Sequence, residues 1–300
     1  PKTPREMKML SSNDSSSSTS KSKNSDLSKS TKKTPKSSTK KKCTKKFFAK
    51  GLEGFHTAII DNVTDDVYEG EWKNGLRSGK GICLYKNGFI YEGNWAHGEE
   101  NGFGVLMKSD RIVVYMGEWQ HGTICGEGTY RFDDGGVYTG SWIGNKRQGR
   151  GEYILPNGGR YIGEWRENVR NGHGIMTWSG GSSYIGDWVD DKRHGSGKLR
   201  LVTGLSYDGS WVEDSMEGKG ICTYEDGQRY VGVFRRGIKE GRGTLTFTNG
   251  TVYEGHFRDD KMDGNGKFML SKCVYGSNED EIFFPIEIPN LSNNNEVDKK

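Results

Sequence analysis

The stretch Tyr68-Glu69-Gly70-Glu71-Trp72 is written nine times along the chain, and that recurrence limits the fold more than any other feature. The copies begin at Tyr68, Tyr91, Tyr115, Tyr138, Tyr161, Tyr184, Tyr207, Tyr230 and Tyr253. Successive starts lie 23 residues apart, with one step of 24 between Tyr91 and Tyr115. Each copy reads Tyr-x-Gly-x-Trp until Phe234 and Phe257 replace Trp in the last two. A fixed period in this range marks a stacked-repeat architecture, in which each unit buries its apolar face only against its neighbours. It directs attention to shape and surface rather than to a chemical centre.

In an extended strand, residues i, i+2 and i+4 share a face. Tyr68, Gly70 and Trp72 therefore point one way, and Glu69 and Glu71 the other. The same spine recurs as Tyr91/Trp95, Tyr115/Trp119, Tyr138/Trp142, Tyr161/Gly163/Trp165 and Tyr184/Trp188. It ends with Tyr207/Trp211, Tyr230/Phe234 and Tyr253/Phe257. A glycine between two large side chains leaves room for a ring or a backbone to approach closely. A second strand begins at each Gly-x-Gly, first at Gly79 and Gly81. Two and four residues beyond the second glycine stand apolar pairs, from Cys83/Tyr85 to Phe268/Leu270. Only Lys108 breaks the series, in the unit that carries the extra residue. Intervening positions such as Lys198, Arg200, Thr244 and Thr246 are mostly polar, so the hairpin has one buried and one wet face.

The turns agree. Three residues after each Trp or Phe stands Gly, Asn or Asp, as at Gly75, Asn145 and Asp191, the residues that best tolerate positive φ. Asn87-Gly88, Asp134-Gly135, Asn157-Gly158, Asp226-Gly227 and Asn249-Gly250 mark tight turns between units. The glycines and the twofold alternation exclude a helical period. The fold expected is all-β, an elongated array of about nine 23-residue hairpins in a twisted single-layer sheet. At ~4.8 Å per strand the ribbon would be roughly 85 Å long.

The unit from Tyr184 through Gly186, Trp188 and His194 to Gly195 and Gly197 resembles a MORN (membrane occupation and recognition nexus) repeat. The resemblance covers residues 68–272 and implies a β-hairpin array whose aromatic and glycine positions are structural. Such arrays occur in ciliary radial-spoke heads, flagellar and cytoskeletal scaffolds, and junctophilins at membrane contacts. They are also appended to phosphatidylinositol phosphate kinases and a lysine methyltransferase.

Composition separates the array from its flanks. Hydrophobic residues make up 31% of the chain, too few for an ordinary compact core, so burial falls to stacked aromatic side chains. Residues 1–50 hold 15 Lys+Arg against 3 Asp+Glu, whereas the rest of the chain is acidic. This Ser/Lys-rich segment reads as a disordered basic tail. At its end Lys40, Lys41, Lys42, Lys45 and Lys46 lead into Phe47 and Phe48, a pattern suited to anionic lipid or an acidic partner. Thr3-Pro4 and Thr34-Pro35 are weak phosphorylation signals. Residues 51–67 read as a degenerate entry strand covering the first repeat edge. Residues 273–300 read as a cap, built on the apolar run Ile282–Pro289, followed by a loose tail. Five scattered cysteines without Cys-x-x-Cys spacing point to a reducing compartment and away from disulfides or a zinc site. The run of apolar residues needed to span a bilayer is absent from the sequence given. The first residue, Pro1, reads as a processed start or a fragment.

No catalytic, cofactor-binding or metal-ligating constellation emerges. The six histidines are scattered, the Gly-x-Gly pairs open no helix, and paired aspartates such as Asp190/Asp191 fall in turns. The leading reading is a non-enzymatic scaffold for protein partners in the cytoplasm, in a cilium, a flagellar axoneme or another cytoskeletal assembly. A membrane-contact adaptor working through the basic tail comes second, and an accessory region of a larger enzyme third. Nucleic acid ranks last, because the acidic body would repel phosphate. Open strand edges and flat aromatic surface also suit a homodimer.

Overall fold

The structure, a computed structural model, describes residues 51–61 and 63–270. These residues form nineteen β-strands and no helix, in two compact units that divide between Asp134 and Gly135. The first unit contains β1 (Gly54–Ile60), β2 (Val67–Lys73), β3 (Leu76–Leu84) and β4 (Ile90–Ala96). It continues with β5 (Glu99–Met107), β6 (Val113–Gln120) and β7 (Thr123–Arg131). The second contains β8 (Val137–Ile143), β9 (Lys146–Ile154), β10 (Arg160–Arg166) and β11 (Val169–Thr177). After these come β12 (Ser183–Val189), β13 (Lys192–Arg200), β14 (Ser206–Val212) and β15 (Ser215–Thr223). Its last strands are β16 (Arg229–Arg235), β17 (Ile238–Thr246), β18 (Val252–Arg258) and β19 (Lys261–Met269). Within each unit every strand pairs antiparallel with the next in the chain.

Glycine sets the register. Gly70, Gly81, Gly93, Gly104, Gly117 and Gly128 face one another across β2 to β7 as an unbroken stripe. An equivalent stripe runs from Gly140 to Gly255 in the second unit. Each spine tyrosine lies flat over such a pair. A Cβ on Gly81 would sit 2.3 Å from Tyr68 Oη, and one on Gly70 would sit 2.5 Å from the Gly81 Cα. The two glycines of Gly-x-Gly are needed for different reasons. Gly81 makes space for the ring, whereas Gly79 takes φ +60° where the strand bulges. Between the Gly70–Gly81 and Trp72–Arg77 pairs, β3 carries two more residues than β2. The bulge leaves the Glu71 carbonyl without a ladder partner, and Tyr68 Oη donates to it at 3.0 Å. All nine spine tyrosines donate to the carbonyl three residues on, at 2.9–3.3 Å.

The rings then interlock. Each tyrosine meets its own Trp or Phe edge-on and, within a unit, the one from the next hairpin. Centroids lie 4.9–5.6 Å apart and planes 79–90° apart, the geometry favoured by aromatic quadrupoles. A second set of contacts laces consecutive hairpins through their turns. Arg170 lies over the Trp188 ring, 4.5 Å from its centroid, and its Nε and backbone amide both donate to Asp191 Oδ1 at 2.9 Å. Arg193 repeats this with Trp211 and Asp214. At the start of the array β1 and the two residues before it supply the missing neighbour: Leu52 O and Glu53 Oε1 accept from the Gly75 and Asn74 amides. They add no ring to the aromatic ladder, and Trp72 stays half-buried.

The turns carry the positive φ expected at Gly, Asn and Asp and add two features that the sequence does not show. Inside each hairpin two residues join the strands, and both have positive φ, as in Asn74 (54°) and Gly75 (74°). This is the I′ geometry that matches strand twist. The preceding position, occupied by residues as unsuited as Glu167, Glu213 and Arg236, is therefore as left-handed as the Gly, Asn or Asp after it. Between hairpins, Asn87-Gly88 lies in a link closed by two hydrogen bonds. The Gly88 amide donates to Tyr85 O (2.9 Å) and the Tyr85 amide to Phe89 O (2.8 Å), giving a three-residue loop with only Gly88 left-handed.

The extra residue is absorbed as a bulge. Leu106 pairs with Tyr115 but Met107 with Val113, so Val114 is the inserted position. Met107 and Val114 are buried in place of the side chain that Lys108 would otherwise supply. Lys108 turns outward and pairs with Asp133 at 2.9 Å.

Two substitutions test this account. Arg236→Asn, which makes an Asn-Gly turn, should raise stability by about 0.5–1 kcal/mol because a long side chain is costly at φ 50°. Thermal melts compared with the parent chain measure it. Gly163→Val should cost roughly 1–3 kcal/mol or more, since a Cβ there meets Gly174 Cα at 2.6 Å and His173 O at 2.7 Å. Hydrogen exchange should rise in β10 and β11 and stay unchanged in β18 and β19. Unchanged exchange in β10 would refute the glycine-stripe assignment.

Candidate interaction surface

The spine aromatic residues singled out in the sequence are buried except the half-buried Trp72, and the indole Nε1 of Trp72, Trp119 and Trp188 is left without a hydrogen-bond partner. The nine tyrosines are at most 1% exposed, and Trp95, Trp119, Trp142, Trp165, Trp188 and Trp211 at most 5%. Trp95, Trp165 and Trp211 also donate Nε1–H to the second glycine's carbonyl in the hairpin before. The aromatic face of each unit is thus closed and offers no open groove of rings. Burial lifts the phenols above their ordinary range. For Tyr68 desolvation outweighs the opposing charge of Arg77 and pushes the value to about 12, and Tyr207 and Tyr230 also reach about 12. Burial likewise pushes the Cys83 thiol up to about 12 and raises Cys125 and Cys222, which leaves these cysteines unsuited to act as nucleophiles.

The polar groups that might carry chemistry are engaged in structure. Glu71 and Asp187 accept from the bulge amides of Lys80 (3.2 Å) and Ser196 (3.0 Å). Burial works against the charge on Asp187, yet the Ser196 amide and His173, 3.2 Å away, hold its carboxyl below the usual range. Among the described residues no group of three or more His, Cys, Asp or Glu is placed to hold a metal ion. No described helix is long and apolar enough to cross a membrane. Lys40, Lys41, Lys42, Lys45, Lys46, Phe47 and Phe48, both Thr-Pro pairs and the run Ile282–Pro289 lie outside the described residues.

What remains is the opposite face, and it is less polar than its sequence alternation suggests. Register brings Ile162, Ile175 and Ile185 side by side on β10, β11 and β12, at 40%, 41% and 46% exposure. Ile221 and Val231 form a second exposed pair on β15 and β16. The signal was present in the sequence, but only pairing through the glycine stripe makes these separated positions neighbours. One row nearer the inter-hairpin loops, eight linked positions from Arg160 to Thr246 carry only Arg, Ser and Thr, with cations at Arg160, Arg200 and Arg229. The first unit differs: residues 51–134 hold 7 Lys+Arg and 14 Asp+Glu, and its open face places Glu69 and Glu92 beside Ile82. The spine is uniform and the open face individual.

The repeat has a match among known families. A family model described as MORN repeat matches nine times, at residues 68–89, 91–111, 115–137, 138–160, 161–183, 184–206, 207–229, 230–252 and 253–271. The comparison with curated proteins found no match. Among solved structures the chain is similar to the TCP domain of SAS-4 (dCPAP) of Drosophila Melanogaster, solved in complex with a Proline Rich Motif of Ana2 (dSTIL). That match has 12% identity and a TM-score of 0.30, covering 60% of this chain and 90% of that one. The TCP10 domain of Danio rerio CPAP matches at 10% identity and a TM-score of 0.23, covering 71% and 88%.

The raised phenol values predict alkaline behaviour. A tyrosine with an unfolded value near 10 and a folded value near 12 stabilises the fold below about pH 10, and that stability is lost as pH rises through 12. Near-ultraviolet phenolate absorbance from the spine should therefore appear only as the β-sheet circular dichroism disappears. Spine ionisation at the ordinary value with the sheet intact would contradict the burial described.

Proposed function

The chain belongs to the MORN repeat family, and from that premise we propose that it is a non-enzymatic scaffold whose open sheet face presents hairpin-specific surfaces to protein partners. The observation that carries this reading is the division of labour within each hairpin. A buried spine repeats the same tyrosine-on-glycine contact nine times, while exposed positions one residue away vary between Glu, Met, Thr, Ile, Asp and Val. Exposed apolar rows flanked by charge suit protein contact, since apolar area supplies affinity and charge supplies choice of partner. We place the scaffold in the cytoplasm, in an axonemal or other cytoskeletal assembly, the setting that the family resemblance favours. An adaptor at an anionic membrane through Lys40–Lys46, Phe47 and Phe48 is a second reading, favoured by the clustering of five lysines beside two phenylalanines.

Proximity labelling with the full chain tests the first reading, using Ile175→Glu with Ile185→Glu as the open-face variant. A set of cytoskeletal or axonemal proteins should be recovered and should fall at least about tenfold with the variant. Recovery of no such protein, or of the same set from both chains, counts against it. Liposome flotation addresses the second: replacing the five lysines with Gln should abolish binding to anionic vesicles.

A further inference from the structure

The basic row on the second unit has a matching segment in the same chain. We propose that residues 279–288, Glu279-Asp280-Glu281-Ile282-Phe283-Phe284-Pro285-Ile286-Glu287-Ile288, dock across the open face of the second unit, with carboxylates at Arg229 and Arg200 and apolar side chains over Ile221 and Val231. The segment itself lies outside the described residues.

Charge favours this occupant. Arg200 and Arg229 are exposed and form no ion pair among the described residues, whereas Arg160 is held by Glu152. Exposed Ile221 and Val231 lie in the adjacent row, so the ligand that suits this surface is acidic on one side and apolar beside it. Extended, the segment would place Ile282, Phe284, Ile286 and Ile288 on one side, after Asp280, and Glu279, Glu281 and Glu287 on the other, with Phe283 and Pro285 between them. A continuous phosphate backbone or an anionic bilayer would also have to cover the carboxylates of Glu164, Asp187 and Asp208 on this face. A single narrow segment need not.

Position favours it as well. Met269, the last residue of β19, pairs with Val252, which pairs with Thr246, which pairs with Arg229. The chain therefore leaves β19 on the row itself, three strands or about 14 Å from Arg229. The eight residues 271–278 reach up to roughly 26–29 Å. Glu281 and Glu287 are about 20 Å apart when extended, against about 14 Å from Arg229 to Arg200, and the arginine side chains reach across the difference. Pro285 lacks an amide proton, which disfavours addition of the segment to the β19 edge and favours lying across the strands. Tethering gives the segment an effective concentration of order millimolar. A partner using this face must therefore displace it.

Hydrogen exchange in residues 279–288 of the full chain provides the test. Exchange there should be slowed at least about tenfold relative to the unstructured rate. Slowing should vanish in Arg200→Glu/Arg229→Glu and in Glu279→Lys/Glu281→Lys/Glu287→Lys, and return when the two sets are combined. Sheet circular dichroism should be the same in all four proteins, because every substituted arginine is at the surface. Unprotected amides in the parent chain, or protection indifferent to the arginines, would overturn the proposal. Protection that rises with protein concentration would overturn it too, by assigning the face to a second copy's segment.

Discussion

A tyrosine ring lying flat on two facing glycines is the contact on which the rest of the structure depends. A single sheet layer has no second sheet or helix against which to bury its apolar face. Here the burial is achieved within the layer: the ring folds down along its own strand, the glycines make room, and the hydroxyl reaches the carbonyl that the bulge has released. Any side chain on Gly81 or Gly70 would lift the ring and expose both the ring and that carbonyl. Space and hydrogen bonding are solved by one residue, which is why neither Tyr68 nor its equivalents vary.

From that contact the remaining features follow in order. The flattened tyrosine presents its edges to two indoles, so the ladder of perpendicular rings propagates from hairpin to hairpin. An arginine that stands opposite the Trp, as at Arg77, Arg147, Arg170 and Arg193, covers the Trp of the next hairpin and holds the next turn, as Arg170 does with Trp188 and Asp191. Where the turn residue is glycine, as at Gly98, only the backbone bond to Arg77 O remains. All this occupies one face. The other has no role in closing the layer and is free to differ along the chain.

The period, the buried spine and the alternation were legible because they are local and repeated. Faces could be assigned from Tyr68, Gly70 and Trp72 alone. Less legible was anything set by pairing. The left-handed backbone at Glu167 and Arg236 has no signature in those residue types; it is imposed by strand twist and seen only once both strands are placed. The open face read as wet because each strand carries isolated apolar residues among polar ones. Ile162, Ile175 and Ile185 become a patch only through a register that the glycines dictate. Lys108 stands out in the sequence as an exception, but its cause, a shift of pairing between Leu106 and Met107, is a property of two strands.

That shift has an evolutionary side. The bulge at Val114 takes up one extra residue within the link and hands the ladder on in phase, so Tyr115 meets Trp119 as its predecessors meet theirs. Length can therefore change inside a link without disturbing the spine, and by whole hairpins without remaking a core. What selection must conserve is the phase between tyrosine and glycine. The number of hairpins, and the reach of the surface they carry, is an adjustable quantity.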